Sequence, residues 1–183
     1  MTTVAVYGSL IDQQQRQKQP NLSSNAYPVL VKGYKRVFNQ EPSWRKGCGE
    51  RRAVLNVVRS DQDCFNGLLV KLRDNSVFLE LDKREKGYDR IRVASSQIAK
   101  LPDVAGSAHA SVYSKLAQEQ VYLYLGKLEK QNNNISPNPD YLNLCLRGAQ
   151  QWGDRFYEQF LQTTYVGKLT LKTFLESSIQ TPK

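Results

Sequence analysis

The segment LDKREKGYDR, residues 81–90, carries seven charged residues, with a leucine at its start and a Gly-Tyr pair inside it. Apolar residues at positions 77, 78 and 81 followed by Gly87 predict a short helix over 76–85 that ends at the glycine. From Tyr88 to Val93, polar and apolar residues alternate, which indicates a strand. The segment therefore predicts a helix, a tight turn and a strand in immediate succession.

Glu85 is the residue of this segment that is best suited to acid–base chemistry. It follows Leu81 by four residues, so both share one helix face, and Glu85 lies at the inward edge if Leu81 packs in the core. Lys83, Arg84 and Lys86 are then expected in water. An inward carboxylate has a raised pKa and can exchange protons near neutrality. Taken alone, the segment favours the alternative, a surface ion pair of Glu85 with a nearby cation.

Two other charged residues of the segment have less definite roles. Asp82 is expected to be a structural carboxylate at the helix end. Arg90 has three candidate partners, which are Asp82, Glu85 and a bound substrate.

Further towards the N-terminus, VAVYGSL (residues 4–10) brings a strand into a turn. Residues 2–7 are short, β-branched and apolar, which predicts a buried strand, and Gly8-Ser9 is a turn signal. Because Gly8 has no Cβ, a ligand can approach the main chain there, and successive N–H groups can bind an anion such as a carboxylate. The alternative is an ordinary turn that ends a strand.

The middle of the chain predicts further strands. Residues 28–38 read as an extended segment with a bulge at Gly33. Residues 53–59 and 67–72 read as two strands that the polar link SDQDCFN joins into an antiparallel pair, and 120–125 as another strand.

The ends of the chain are less regular, apart from one helix. Residues 11–26 are polar and predict a surface excursion. Asn138 is a candidate N-cap for a C-terminal helix, with a break at Gly153 and an apolar stripe at 142, 145, 149, 152, 156 and 160. The organisation expected is one domain over 1–175 and a flexible tail over 176–183. The fold class predicted is α+β, with a small mixed, barrel-like sheet and flanking helices.

Composition restricts the function classes. A net charge of +9 permits binding to polyanions, so a basic nucleic-acid-binding module is one alternative. No apolar run reaches the length of a membrane span and the N-terminus lacks signal-peptide features, so a cytoplasmic protein is expected. The three cysteines form no CxxC pair, and the one histidine, His109, lies in a small-residue stretch typical of an exposed loop. Acid–base chemistry is therefore expected from carboxylates, lysines or tyrosines.

In two motifs together the sequence resembles the γ-glutamylcyclotransferase-like superfamily, and within it the ChaC-like branch. The matching residues are Tyr7-Gly8-Ser9-Leu10 and the pattern LDxRExGYxR over 81–90. GYKRVF (33–38), FNGLLVKL (65–72), VYLYLG (121–126) and SPNPDYLNLCLRGAQQWGD (136–154) resemble further family segments, so the resemblance covers most of residues 3–160.

This resemblance implies an enzyme, of lyase or acyltransferase type, that releases 5-oxoproline from glutathione or another γ-glutamyl peptide or amine. It implies Glu85 as the general acid/base. The backbone of Tyr7, Gly8, Ser9 and Leu10 would hold the γ-glutamyl group, and Tyr88 and Tyr124 are weaker substrate-binding candidates. No metal or cofactor is expected, and the partner expected is a small γ-glutamyl substrate. The leaving group and the oligomeric state stay open, and a non-catalytic member that binds a small acid is a second alternative.

Overall fold

The computed structural model describes residues 2–19, 22–42, 51–73, 77–101 and 119–179 of the chain. His109 and Cys48 lie outside the described residues, so the expectations for their surroundings stay predictions.

The described residues form eight strands and five α-helices. The strands are β1 (Thr2–Val6), β2 (Leu22–Gln40), β3 (Val54–Leu72), β4 (Tyr88–Val93), β5 (Ile98–Lys100), β6 (Gln120–Gly126), β7 (Thr164–Val166) and β8 (Leu169–Thr170). The helices are α1 (Gln13–Gln17), α2 (Val77–Arg84), α3 (Pro139–Gln150), α4 (Asp154–Gln162) and α5 (Leu171–Ile179).

All eight strands belong to one mixed sheet, which confirms the α+β class. The order is β4-β6-β1-β3-β2-β7-β8, and β5 pairs with β2 outside this path. Strand β1 lies antiparallel to β3 and parallel to β6, so the first strand of the chain is central. Among the described strands the path is open at β4 and β8, so the sheet is not closed into a barrel.

Strands β2 and β3 correct one prediction. Residues 53–59 and 67–72 are not an antiparallel pair, because both segments, from Val54 onwards, lie in the single strand β3, which pairs along its length with β2. The register passes from Lys32 opposite Cys64 to Tyr34 opposite Arg59. Gly33 stands at this shift with φ +85°, a value that favours glycine, so the irregularity predicted at Gly33 is present. Its extra length lies on β3, where the four residues 60–63 stand opposite the single residue Gly33.

The polar segment 11–26 is also more structured than its composition suggests. Helix α1 lies within it, and the Asp12 side chain caps that helix by accepting a hydrogen bond from the Gln15 N–H at 3.0 Å. Both Asp12 and Arg16 are buried. Only part of this segment is therefore a surface excursion.

The C-terminal helices begin and divide where the sequence predicts. The Asn138 side chain accepts a hydrogen bond from the Tyr141 N–H at 2.9 Å, which confirms it as the N-cap of α3. Gly153, with φ +89°, separates α3 from α4. Residue 176 falls inside α5, which continues to Ile179, and the division into a domain and a tail stays a prediction.

Arg36 is the largest fully buried side chain among the described residues, and it joins the sheet to the C-terminal helices. Its guanidinium donates hydrogen bonds to the Asn66 carbonyl at 2.6 Å, the Thr164 hydroxyl at 2.7 Å and the Phe160 carbonyl at 3.3 Å. It also reaches the Tyr7 carbonyl at 3.5 Å. Burial lowers the pKa of Arg36 to about 9, so it still carries its charge at neutral pH.

No α-helix in the described ranges is long and apolar enough to cross a bilayer.

Candidate active site

A cavity of about 440 Å³ opens beside the end of β1. The residues proposed from the sequence for catalysis and substrate binding all line it: Tyr7, Gly8, Ser9, Leu10, Glu85, Tyr88 and Tyr124. They arrive from four places in the chain, which are the loop after β1, the turn after α2, the start of strand β4 and strand β6. The fold brings the set together, while the roles of its members remain predictions.

Glu85 reaches the cavity because α2 ends immediately before it. Its N–H donates to the Leu81 carbonyl at 2.7 Å, which keeps the last helical hydrogen bond, and Leu81 is buried as expected. The Glu85 side chain is 22% exposed. Burial raises the pKa of Glu85, and the charge of Arg84 opposes that rise. The carboxyl group can therefore change protonation nearer to neutrality than an exposed glutamate.

Arg84 does not remain in water, contrary to the sequence-based expectation. Its Nε lies 3.3 Å from Oε1 of Glu85, and its Nη2 donates to the Ser9 hydroxyl at 3.3 Å. The remaining nitrogen, Nη1, is buried and has no acceptor among the described residues. One guanidinium thus bridges the candidate acid/base and the candidate substrate loop. Lys83 and Lys86, by contrast, are exposed as expected.

Tyr141 of α3 also lines the cavity, although the sequence argument passed over it. Its hydroxyl lies against Gly8, where a Cβ atom would overlap it. The Ser9 N–H donates to this hydroxyl at 3.4 Å. The close contact gives a physical reason for a glycine at position 8. Tyr141 directly precedes the predicted apolar stripe, which begins at residue 142, and it is buried with that stripe. A tyrosine in this position has the same pattern in a core and in a cavity wall, so the sequence held no signal to distinguish the two.

The loop after β1 turns at once into a short 3-10 helix, Ser9–Ile11. The Ile11 N–H donates to the Gly8 carbonyl at 2.9 Å and the Asp12 N–H to the Ser9 carbonyl at 3.2 Å. The first N–H groups of such a helix have no partner within it. Here those first groups are the N–H of Leu10 and the N–H of Ser9, which donates to the Tyr141 hydroxyl at 3.4 Å. The loop can therefore present main-chain donors to an anion or a developing oxyanion, with the Ser9 N–H shared with Tyr141.

The tyrosine hydroxyls at the cavity are tied to the main chain around it. Tyr7 donates to the Tyr124 carbonyl at 2.7 Å, and Tyr88 donates to the Leu55 carbonyl at 2.8 Å. Burial raises the pKa of both phenols, and the nearby Glu85 carboxylate adds to the rise. They therefore stay protonated and uncharged at neutral pH. They line the cavity as fixed neutral side chains and do not act as bases.

Tyr124 connects β6 to α2 through Asp82. Its hydroxyl donates to Asp82 Oδ1 at 2.7 Å, and Asp82 Oδ2 lies 3.4 Å from Arg90 Nη1. Arg90 also stacks on Phe78, with Cζ 3.7 Å from the ring centre. These contacts agree with a structural Asp82 and identify it as a partner of Arg90.

A hydrogen bond from strand β2 also holds the turn that carries Glu85. The side-chain amide of Gln40, a fully buried residue of β2, donates to the Gly87 carbonyl at 2.7 Å. Within the described ranges, no group of three or more His, Cys, Asp and Glu side chains is placed to hold a metal ion.

Comparisons with known structures match this fold over nearly its whole length. A structure described as a gamma-glutamyl cyclotransferase matches with a TM-score of 0.59 at 15% identity, covering 96% of this chain and 98% of the other. A gamma-glutamyl cyclotransferase specific to glutathione, from yeast, matches with a TM-score of 0.57 at 15% identity, covering 98% of each chain. An uncharacterised protein from Homo sapiens matches with a TM-score of 0.58 at 17% identity, covering 98% of each chain.

No protein-family model and no curated protein matches the sequence. The resemblance at the level of structure therefore concerns the arrangement of the chain, which is a mixed sheet with flanking helices. This chain has the gamma-glutamyl cyclotransferase fold.

Proposed function

We propose that this protein is a γ-glutamylcyclotransferase of the ChaC-like branch, acting on glutathione or another γ-glutamyl peptide or amine. The observation that carries the proposal is the meeting of Glu85 with the Tyr7–Leu10 loop across one cavity. The two motifs stand more than 70 residues apart in the sequence, and the Arg84 side chain links them directly. The expected setting is the cytoplasm.

The reaction needs a proton carrier rather than a protein nucleophile. The α-amino nitrogen of the substrate attacks its own side-chain amide carbon, a five-membered ring forms, and the bond from that carbon to the leaving amine breaks. Glu85 takes the proton that the attacking nitrogen loses and gives it to the leaving amine. The products are 5-oxoproline and the free amine. One carboxyl group of raised pKa serves both steps, typically with a contribution of about 10²- to 10⁴-fold.

Binding supplies the rest of the acceleration. The substrate must fold so that its amine meets its own amide carbon, and fixing such a geometry can contribute on the order of 7 kcal/mol. In this proposal the N–H groups of Leu10 and of Ser9, which also contacts the Tyr141 hydroxyl, hold a carboxylate or the oxygen that becomes negative during attack. The protonated phenols of Tyr7 and Tyr88 close the cavity without competing for the proton.

A carboxylate at this position favours catalysis over simple acid binding. A protein that only binds a small acid gains nothing from placing Glu85 in the same cavity, because two like charges repel. The same carboxylate argues against nucleic-acid binding at this cavity, because it would repel the negatively charged phosphates.

The test is the release of 5-oxoproline, measured by mass spectrometry, from glutathione and a panel of γ-glutamyl amino acids and amines. Glu85→Gln keeps the shape of the side chain and removes its titration, so we expect a loss of at least about 100-fold. Glu80→Gln makes the same chemical change on the exposed face of α2 and should leave the rate unchanged.

The panel also separates the alternatives. Product from the natural protein and none from Glu85→Gln would assign the reaction, and the best substrate would name the leaving group. Folded protein that releases no 5-oxoproline from any member of the panel would contradict the proposal. Binding of a panel member without turnover would favour the non-catalytic alternative.

A further inference from the structure

The charged residues of the cavity at the end of β1 include two that the proposed reaction does not use. Among the described residues, the charged ones that line this cavity are Glu41, Lys83, Arg84, Glu85 and Lys86. The reaction gives a proton-carrying role to Glu85, and Arg84 contacts it directly. The two lysines line the same cavity and have no role in the chemistry itself.

The other three charged residues each have an opposite charge in contact. Arg84 Nε lies 3.3 Å from Glu85 Oε1, and Glu41 Oε1 lies 3.3 Å from Arg51 Nη1. A hydrogen bond from Asn132 and the charge of Arg51 lower the pKa of Glu41, so this carboxylate is ionised and already held at neutral pH. Neither lysine forms an ion pair within the described ranges. The described wall of the cavity therefore has an excess of two cations.

These two cations lie on the outer side of the candidate acid/base. The Glu85 side chain is 22% exposed, whereas Lys83 and Lys86, which flank the Arg84-Glu85 pair in the chain, are exposed. In the proposed reaction the γ-glutamyl group is held by the Tyr7–Leu10 loop, and the bond that breaks lies beside Glu85. The leaving group then extends from Glu85 towards solvent, past the two lysines.

We propose that Lys83 and Lys86 form the subsite for the leaving group and select leaving amines that carry a carboxylate. This inference rests on the function proposed above. An ammonium group attracts a carboxylate as a mobile point charge with three donors, and a cleft with an excess of one charge concentrates ligands of the opposite charge. A leaving amine without a carboxylate gains nothing from these lysines. The subsite therefore favours γ-glutamyl amino acids and peptides over γ-glutamyl amines, a choice that the reaction chemistry leaves open.

The test compares γ-glutamyl-alanine with γ-glutamyl-alaninamide, whose leaving groups differ only in a carboxylate against a neutral amide. The quantity measured is kcat/KM for 5-oxoproline release from each, expressed as the ratio of acid to amide. Comparing this ratio between protein variants cancels the different intrinsic reactivity of the two leaving amines. Lys83→Gln and Lys86→Gln should each lower the ratio by about two- to fivefold, as expected for an exposed ion pair, and the double variant should lower it further.

Lys168→Gln is the matched control. Lys168 is an exposed lysine that does not line the cavity, so its variant loses the same net charge and should keep the ratio of the natural protein. Added salt gives a second comparison. It should lower the ratio in the natural protein more than in the double variant, because exposed charge pairs are screened.

Three results would overturn the subsite while the reaction stands. A double variant that turns over both substrates with an unchanged ratio would show that the lysines do not read the leaving group. Equal losses for the acid and the amide would place their effect on the γ-glutamyl group instead. A ratio that falls as far in Lys168→Gln as in the double variant would show only an effect of net charge. Failure to release 5-oxoproline from either substrate would contradict the reaction itself, and the subsite with it.

Discussion

Glu85 and Arg84 are neighbours in the chain, and the same sequence argument succeeds for one position and is wrong for the other. Four-residue spacing places Glu85 beside the buried Leu81, because its N–H retains the helical bond to the Leu81 carbonyl. For Arg84 the argument assumes a helix that continues. Helix α2 ends at Arg84, and the long side chain turns back over the end to reach Glu85 and Ser9. Helix periodicity does not predict where a long side chain will lie once the helix has ended.

At this scale the first prediction concerns the pH profile of the proposed reaction. Arg84 lowers the pKa of Glu85, while burial raises it. Arg84→Gln removes the opposing charge, so the pKa of Glu85 rises further. Since the carboxylate form must accept the first proton, the acidic limb of kcat/KM should move to higher pH. The measurement is 5-oxoproline release between acidic and alkaline pH.

Lys83→Gln is the matched control for this shift. Lys83 also lines the cavity and its variant loses the same charge, but among the described residues its side chain is exposed and forms no ion pair with Glu85. Its profile should move less than that of Arg84→Gln. Equal shifts in both variants, or a limb that moves to lower pH in Arg84→Gln, would contradict the direct interaction.

The second prediction concerns the contact between Gly8 and Tyr141. A Cβ atom at position 8 would overlap the Tyr141 hydroxyl, whereas the ring carbon that bears it is 3.7 Å away. Gly8→Ala should therefore lower the free energy of unfolding by about 1–3 kcal/mol, and Tyr141→Phe should restore part of it by removing the hydroxyl. Urea unfolding of the two single variants and the double variant measures the coupling.

The prediction is supported if the double variant is more stable than the sum of the two single losses would give. If the losses of the two single variants simply add in the double variant, the hydroxyl is not what excludes a side chain at position 8.

At the scale of elements, turn and cap residues predicted the start of a strand or helix correctly where the preceding segment ended at a glycine or a capping side chain. Strand β4 begins at the tyrosine that follows Gly87, and α3 begins after its Asn138 cap. Strand β3 was harder to predict. Its link at 60–63 is polar and partly exposed, as a loop between strands would be, yet the strand resumes beyond it along the same partner. Pairing between β2 and β3 is non-local, so the spacing of residues within β3 could not reveal it.

The third prediction tests the cap of α3. Asn138→Ala removes the acceptor for the Tyr141 N–H and should cost about 1 kcal/mol of the free energy of unfolding. Asn143→Ala, on the exposed face of the same helix, makes the same change without a cap and should be neutral or slightly stabilising. Urea unfolding of both variants provides the comparison, and equal losses in the two would argue against the cap.

For the whole molecule, composition and strand count predicted the α+β class, but the path of the sheet depends on contacts that no local pattern contains. Arg36 shows why. In the sequence it is one basic residue among 26 lysines and arginines. In the fold it is fully buried and contacts the end of β1, strand β3 and helix α4. Only the assembled layers distinguish it from the exposed cations.

The fourth prediction follows from this position. Arg36→Met leaves the carbonyl oxygens around it without their donor, and breaking a buried charged network of this kind typically costs about 3–5 kcal/mol. Arg92→Met, on the exposed side of β4, should change the free energy of unfolding by less than about 0.5 kcal/mol. Urea unfolding monitored by circular dichroism measures both variants. An Arg36→Met protein as stable as Arg92→Met would show that the Arg36 hydrogen bonds do not stabilise the fold.

Residues 60–63 of β3, which stand opposite one residue of β2, carry a consequence for how this chain can change. Both halves of the strand keep their own register with β2, and the residues between them face outwards, with Asp61 and Gln62 exposed. Chain length there can vary at little entropic cost. An inserted epitope or a cleavable peptide at this position should therefore leave the cavity at the end of β1 as it is, which makes the bulge the natural attachment point for a label.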